Sequence, residues 1–272
     1  MKIPFMKMSG SGNDFILIDH RTPLLDRNRM KKFAQKVCRR RISVGADGLI
    51  FIERSKKADF KWQFFNADGS EAEMCGNGGR CAARFAYLKG IAGSSLTFET
   101  LAGILSAQVD GKRVKLEMTK PSGLKVDEKI SIKGKGLTIS RINTGVPHAV
   151  LFLENLEGVD VRGMGGAIRN HPHYAPRGTN ANFVVVKNRS RLWVRTYERG
   201  VEDETLACGT GAVAAALVAA FKGLVKSPVS IRTRGGEVLN VYFEVEGEDV
   251  KKIFFEGDVH VIYEAEMWEE AY

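Results

Sequence analysis

The chain resembles itself, and that internal repeat constrains its fold more than any other feature. Glu73-Met74-Cys75-Gly76-Asn77-Gly78 resembles Leu206-Ala207-Cys208-Gly209-Thr210-Gly211, with Cys-Gly-x-Gly common to both. An Ala-rich stretch compatible with a helix follows each copy, over 80–89 and over 212–222. Each stretch stops at a glycine, Gly90 or Gly223, 15 residues past its cysteine, where a left-handed residue closes a helix. Leu96-Thr97-Phe98-Glu99-Thr100 then lies over Val229-Ser230-Ile231-Arg232-Thr233. Both segments alternate like strands, and Thr100 and Thr233 each stand 25 residues past the cysteine. Upstream, Asn13-Asp14-Phe15-Ile16-Leu17-Ile18 lies over Ala181-Asn182-Phe183-Val184-Val185-Val186, and strand segments end at Asn66 and Glu198.

The repeat predicts an α/β (α+β) protein of two similar lobes, residues 1–130 and 131–272, each mainly strands wrapped around one helix. The helix over Ala212–Phe221 is apolar nearly all round, so it is expected at the centre of its lobe. The segment from Gly257 to Tyr263 reads as a C-terminal strand able to return to the first lobe. The first half is expected to carry an insertion holding a basic helix. Between Arg27 and Arg41 there are eight Lys/Arg and no acid, with Met30, Phe33, Ala34 and Val37 at helical spacing. This accounts for much of the net charge of +9 and reads as an amphipathic helix with a solvated basic face. No zinc-finger spacing or aromatic RNA-binding pattern accompanies it, so nucleic acid is not an expected partner.

Other classes fall away on simple grounds. The longest apolar run, Gly211 to Phe221, is well short of the ~20 residues a bilayer span needs. Residues 1–8 lack the apolar core of a secretory signal. Four cysteines in 272 residues make no disulfide framework, so a reducing cytoplasm is expected. No C-x2-C pair suggests a metal site. Cys38 and Cys81 fall inside helix-like stretches and read as structural.

Cys75 and Cys208 differ from these two, because each immediately precedes a helix. Amides at a helix start lack intrahelical partners and carry partial positive charge. Such a place favours a thiolate and can also bind a carboxylate. Lobes related by a pseudo-twofold axis would aim the two sulfurs at a common cleft from opposite sides. That suits inversion of a stereocentre α to a carboxylate, with one sulfur removing the Cα proton and the other returning a proton to the opposite face. The helix-start amides would stabilise charge moving onto the carboxylate. The chemistry needs no cofactor and no metal.

These residues and their surroundings resemble the diaminopimelate epimerase family. The resemblance runs through Gly12-Asn13-Asp14-Phe15, Gly45-Ala46-Asp47-Gly48, Phe65-Asn66-Ala67-Asp68-Gly69-Ser70 and Cys75 to Arg80. It continues through Pro147-His148, Gly178-Thr179-Asn180, Tyr197-Glu198-Arg199-Gly200 and Glu204 to Gly211. The resemblance implies two barrels of mostly antiparallel strands, each around a central helix. It implies that Cys75 and Cys208 transfer the protons, and that Gly76, Asn77, Gly209 and Thr210 hold the reacting carboxylate. Asn13, Asn66, Asn180, Glu198 and Arg199 would bind the rest of a small amino-acid substrate, and His148 and Glu198 would tune the thiols. Tyr263 matches a dimer-contact tyrosine, so a homodimer is implied. One position departs: many members carry asparagine before Pro-His, whereas this chain has Val146.

The expected activity is interconversion of LL- and meso-diaminopimelate, a step toward lysine and cell-wall precursors. The alternatives are a cofactor-independent racemase of histidine, proline or hydroxyproline, and a non-catalytic binding protein on the same scaffold. A binding protein has no need for a thiol at the same place in both lobes.

Overall fold

The computed structural model describes residues 2–72, 74–132, 134–247 and 249–272. Glu73, in the first copy of the repeated motif, lies outside them. In chain order the first elements are β1 (Ile3–Gly10), β2 (Asn13–Asp19), α1 (Arg27–Val37), β3 (Gly48–Glu53) and β4 (Phe60–Asn66). Then come α2 (Gly76–Leu88), β5 (Ser95–Thr100), β6 (Gly103–Asp110), β7 (Arg113–Glu117), β8 (Ser122–Ile132), β9 (Lys135–Asn143) and β10 (Pro147–Phe152). The chain continues with α3 (Val161–Arg169), β11 (Asn180–Asn188), β12 (Arg191–Glu198), β13 (Asp203–Thr205) and α4 (Gly209–Phe221). It closes with β14 (Val229–Arg232), β15 (Val238–Glu246) and β16 (Asp249–Met267).

Two compact units result, Met1–Glu117 with Gly257–Tyr272, and Met118–Glu256. The division expected at 130/131 falls inside β8, whose ladder with β9 runs from Ser122 to Ile132 and keeps that strand whole. The unit boundary therefore precedes β8, and the C-terminal residues join the first unit.

In the first unit β1 to β7 follow one another as hydrogen-bonded neighbours, and β16 bonds to both β7 and β1, closing an eight-strand ring. β2/β3 and β4/β5 are parallel. β1/β2, β3/β4, β5/β6, β6/β7 and β1/β16 are antiparallel. Residues 15–18 and 49–52 are buried without a break, as strands covered on both faces require. One face carries Ile16, Ile18, Leu49 and Phe51, which pack with Met30, Phe33, Ala34 and Val37 of α1. The other face meets α2, which is buried from Gly76 to Ala83. Small residues permit that approach: a Cβ on Gly79 would lie 2.8 Å from Leu116 Cδ2.

In the second unit the neighbour order is β8-β9-β10-β11-β12-β14-β15-β16. β10/β11 and β12/β14 are parallel. β8/β9, β9/β10, β11/β12, β14/β15 and β15/β16 are antiparallel. α3 packs Val161 and Ile168 on Ala149, Leu151, Ala181, Phe183 and Tyr197. α4 is buried continuously from Gly211 to Ala219, as its all-round apolarity predicts.

The two units thus run through the same order of pairings, with α1 and α3 at one place and α2 and α4 at another. The register agrees with the cysteine spacing. Phe60 pairs Phe98 and Leu192 pairs Ile231, and Phe98 and Ile231 each stand 23 residues past the cysteine. Both central helices end alike, on Gly90 at φ 63° and Gly223 at φ 70°, as the repeat predicts.

Two readings of the repeat need correction. β11 corresponds to β3, not to β2, and β2 corresponds to β10. α3 occupies the place of α1, so the basic helix belongs to the repeated unit and is no insertion. Phe15–Ile18 and Phe183–Val186 look alike because both are apolar runs at covered strand positions. Such runs report burial, not their place in the strand order.

α3 approaches β12 so closely that a Cβ on Gly165 would lie 2.4 Å from Tyr197 Cβ. Gly165→Ala is therefore expected to cost about 2 kcal/mol by overpacking, a fall of roughly 4–8 °C in melting temperature. Gly166→Ala, whose Cβ would lie 3.6 Å from the Tyr197 hydroxyl, is the control with little change. Thermal unfolding followed by circular dichroism compares the two.

Candidate active site

In the first unit Cys75 is the N-cap of α2, with extended backbone at φ −146° and ψ 117°. Its Sγ accepts from the Gly78 amide at 3.4 Å. The helical ladder begins with Gly79 N donating to Cys75 O at 2.7 Å. The amides of Gly76 and Asn77 precede that ladder, at the positive end of the helix dipole.

The side chain of Asn77 is buried. Its Nδ2 donates to Asn13 Oδ1 at 2.8 Å, and Asn13 Nδ2 donates to Asp47 Oδ2 at 2.9 Å. Two of the expected residues are thereby joined to each other, and through Asn13 to a carboxylate to which sequence reasoning gave no role. Asp47 and Asp14 are both held by Arg40, at 2.8 Å and 2.5 Å, and Lys7 reaches Asp14 at 2.9 Å. Burial works against the charged form of Asp14, but Arg40 and Lys7 more than offset it and hold its pKa below the usual range. Arg40 comes from the basic stretch, so that stretch is not only a solvated face. Asn66 ends β4 opposite Gly48, which itself pairs with Phe15, so Asn66 and Asn13 lie toward one end of these strands. Its Nδ2 donates to Ser70 Oγ at 3.0 Å, and the residue is exposed.

The second unit repeats the helix start with different neighbours. Cys208 is the N-cap of α4 at φ −124° and ψ 110°. Its Sγ lies 3.6 Å from Thr210 Oγ1, and the residue is only 7% exposed. Ala212 N donates to Cys208 O at 2.9 Å, leaving the Gly209 and Thr210 amides ahead of the ladder. Thr144 Oγ1 donates to Thr210 O at 3.0 Å and ties the turn before β10 to the helix start.

His148 is the second residue of β10 and is fully buried. Asn182 lies beside it, and its Nδ2 donates to Ala149 O at 2.9 Å and contacts His148 Nδ1 at 3.1 Å. Asn182 Oδ1 accepts from Thr196 Oγ1 at 3.0 Å. The amide therefore presents a donor to Nδ1, which places the ring proton on Nε2. Burial, with the charge of Arg199 adding to it, pushes the His148 pKa down to about 3. The imidazole is thus neutral near pH 7. Gly211 separates this network from the thiol: a Cβ there would lie 2.4 Å from Asn182 Oδ1 and 3.2 Å from Cys208 Sγ. Asn182 carries no expected role, yet one signal was present, a lone amide inside the otherwise apolar segment 181–186.

Asn180 pairs with His148 across β10/β11, and its Oδ1 accepts from the Arg199 amide at 2.7 Å. Arg199 Nη1 donates to Arg177 O at 3.1 Å. Glu198 ends β12 and is half-buried. These residues share one region of the second unit. Tyr263 stands elsewhere, on the C-terminal half of β16, edge-to-face with Phe5 at 5.9 Å.

The register also locates Val146. Leu49 pairs Phe65 as Ala181 pairs Tyr197, and Phe15 pairs Gly48 as His148 pairs Asn180. Asn13 and Val146 therefore hold the same position in the two units, so one unit presents an amide there and the other an isopropyl group. All four cysteines are free thiols. Burial pushes both Cys38 and Cys81 up to about 12, so neither is a ready nucleophile at neutral pH. Among the described residues no three His, Cys, Asp or Glu side chains gather as metal ligands. Among the described residues no helix is long and apolar enough to cross a membrane.

The buried neutral histidine has a consequence for stability. Between its ordinary pKa of 6.5 and about 3, the unfolded chain binds a proton there that the native state refuses. Stability is therefore expected to fall as pH drops through that window, by at most about 1.4 kcal/mol per pH unit from this group. Denaturant titrations between pH 6.5 and 5, where carboxylates contribute little, measure the slope. His148→Gln is expected to flatten it.

Comparisons with known proteins show the family and the fold. The sequence profile of the diaminopimelate epimerase family matches residues 5–124 and 140–261. A diaminopimelate epimerase of Aquifex aeolicus is 50% identical over 278 residues, covering 98% of each chain. One from Hydrogenobaculum is 45% identical over 270 residues, covering 95% of this chain and 96% of that protein. Among solved structures, a Bacillus anthracis protein of the phenazine-biosynthesis PhzF family has the same fold, with TM-score 0.74 at 18% identity, covering 98% of this chain and 99% of that one.

Proposed function

The chain belongs to the diaminopimelate epimerase family and is an epimerase interconverting LL- and meso-diaminopimelate in lysine biosynthesis; we propose that it does so with Cys75 and Cys208 as a thiolate and thiol pair. The observation that carries this reading is that each unit caps its buried helix with a cysteine, and that the two cysteines stand at one register position of a repeated fold. Inversion at Cα needs a base on one face and an acid on the other. One sulfur takes the Cα proton as thiolate and becomes a thiol. The other gives its proton to the opposite face and becomes a thiolate. The pair exchanges roles with direction and titrates as a unit.

Charge moving onto the reacting carboxylate would be met by the amides of Gly76 and Asn77 and of Gly209 and Thr210, which stand ahead of their helical ladders. Asn13, Asn66, Asn180, Glu198 and Arg199 would hold the rest of the substrate. His148, neutral at working pH, would act on the thiols through polarity and packing and not through charge. The Val146 position removes one amide from substrate recognition, and the polar residues at 13, 66 and 180 remain.

Incubation with LL-diaminopimelate in heavy water tests the two-thiol reading by loss of the α-proton signal in NMR. Cys75→Ala and Cys208→Ala are each expected to lower kcat at least 10³-fold, the order a positioned acid or base contributes, with an unchanged circular dichroism spectrum. Turnover at the wild-type rate in either variant would overturn the assignment.

Two further readings concern the working protein. It would act in the cytoplasm, where reducing conditions keep two catalytic thiols reduced. It would also be a homodimer. Val261, Ile262 and Tyr263 are 36%, 54% and 41% exposed on β16, an apolar stretch suited to burial against a second copy. Light scattering should give twice the chain mass, and Tyr263→Glu is expected to shift it toward that of one chain.

A further inference from the structure

One fully buried charge in the first unit stands beside these groups without a role. Arg80, on the second turn of α2, has no exposed surface. Its Nη2 donates to Ser11 Oγ at 2.6 Å and to Asn77 Oδ1 at 2.9 Å. From there the hydrogen bonds run on in a fixed direction. Asn77 Nδ2 donates to Asn13 Oδ1 at 2.8 Å, and Asn13 Nδ2 donates to Asp47 Oδ2 at 2.9 Å. Asp47 is held in turn by Arg40 at 2.8 Å.

A primary amide can be turned over with almost no change of shape, so an isolated asparagine does not choose which end it presents. Here the choice is made from both ends. A guanidinium has only donors and an ionised carboxylate only acceptors. Turning Asn77 over would set its NH2 against the guanidinium, and turning Asn13 over would set its carbonyl against the carboxylate. Each would leave buried or half-buried polar groups opposed. At the equivalent described positions of the second unit this relay has no counterpart: five residues past Cys208 stands Val213, where Arg80 stands five past Cys75, and Val146 holds the place of Asn13.

We infer that Arg80 is a positioning residue: it fixes the polarity of the Asn77–Asn13 amide pair and so determines which groups Asn13 turns toward the substrate. What is left on Asn13 is one Nδ2 hydrogen and one Oδ1 lone pair, each in a set place. A site built in this way rejects an amino acid that does not match the pattern. The inference rests on the reading of Asn13 as substrate-binding.

A double-mutant cycle on the full chain, with diaminopimelate as substrate, tests it. Arg80→Met keeps most of the volume and removes every donor. It is expected to raise KM about tenfold with a smaller change in kcat, and Arg80→Lys, still a donor only, should recover most of that loss. In an Asn13→Ala background Arg80→Met should raise KM by less than about threefold more, because the group it positions is gone. The same factor in both backgrounds would overturn the inference while leaving Asn13 in its role. An Asn13→Ala variant with unchanged KM would overturn the reading of Asn13, and the inference with it. If Arg80→Met does not fold by circular dichroism, Arg80→Gln carries the same cycle. Its amide can turn either end to Asn77 and so no longer imposes the polarity, and its KM rise should vanish in the Asn13→Ala background. An equal rise in both backgrounds would overturn the inference.

Discussion

Everything at the candidate site depends on the first turn of a helix that is buried at its start. An α-helix leaves its first amides without partners, and a protein interior normally makes such a start costly. Each unit places the same residue type there. A cysteine in extended conformation takes the N-cap, so that its sulfur and the two amides after it occupy one small region. Surrounding strands keep the rest of the helix dry, and glycines at 79 and 211 let neighbouring side chains come close. A thiol and two amides at the positive end of a helix dipole are thereby brought together by the same local geometry.

The two units differ in what surrounds that shared turn. In the first, Lys7, Arg40, Asp14 and Asp47 form an ionic frame and a buried arginine feeds it from within the helix. In the second, a neutral histidine, an asparagine and a threonine form a network without formal charge. The repeat supplies equivalent positions, and substitution at them supplies the difference: Asn13 against Val146, Asn77 against Thr210, Arg80 against Val213.

Much of this was readable in advance because it rests on local chemistry. Cys-Gly-x-Gly followed by an Ala-rich stretch and a terminating glycine describes a capped, buried helix, and the described helices begin and end within a residue or two of those marks. The roles of Asp47, Arg80 and Asn182 were not readable. Each acts through a partner far along the chain: Asp47 through Asn13, Arg80 through Ser11, Asn182 through His148. Hydrogen bonds between residues more than 30 positions apart leave no spacing in a sequence. The alignment of β2 with β11 went astray for a related reason, since two apolar runs buried on both faces carry no mark of which neighbour each pairs with.

By itself, then, the sequence determined the repeat and the two helices with a cysteine at each start, because propensity, capping and periodicity act over a few residues. The tertiary structure decided the order of strands, the place of the unit boundary, the neutrality of His148 and the direction of the amide relay. Those depend on which groups are brought together out of water, where a missing partner is costly and a single hydrogen-bond polarity survives.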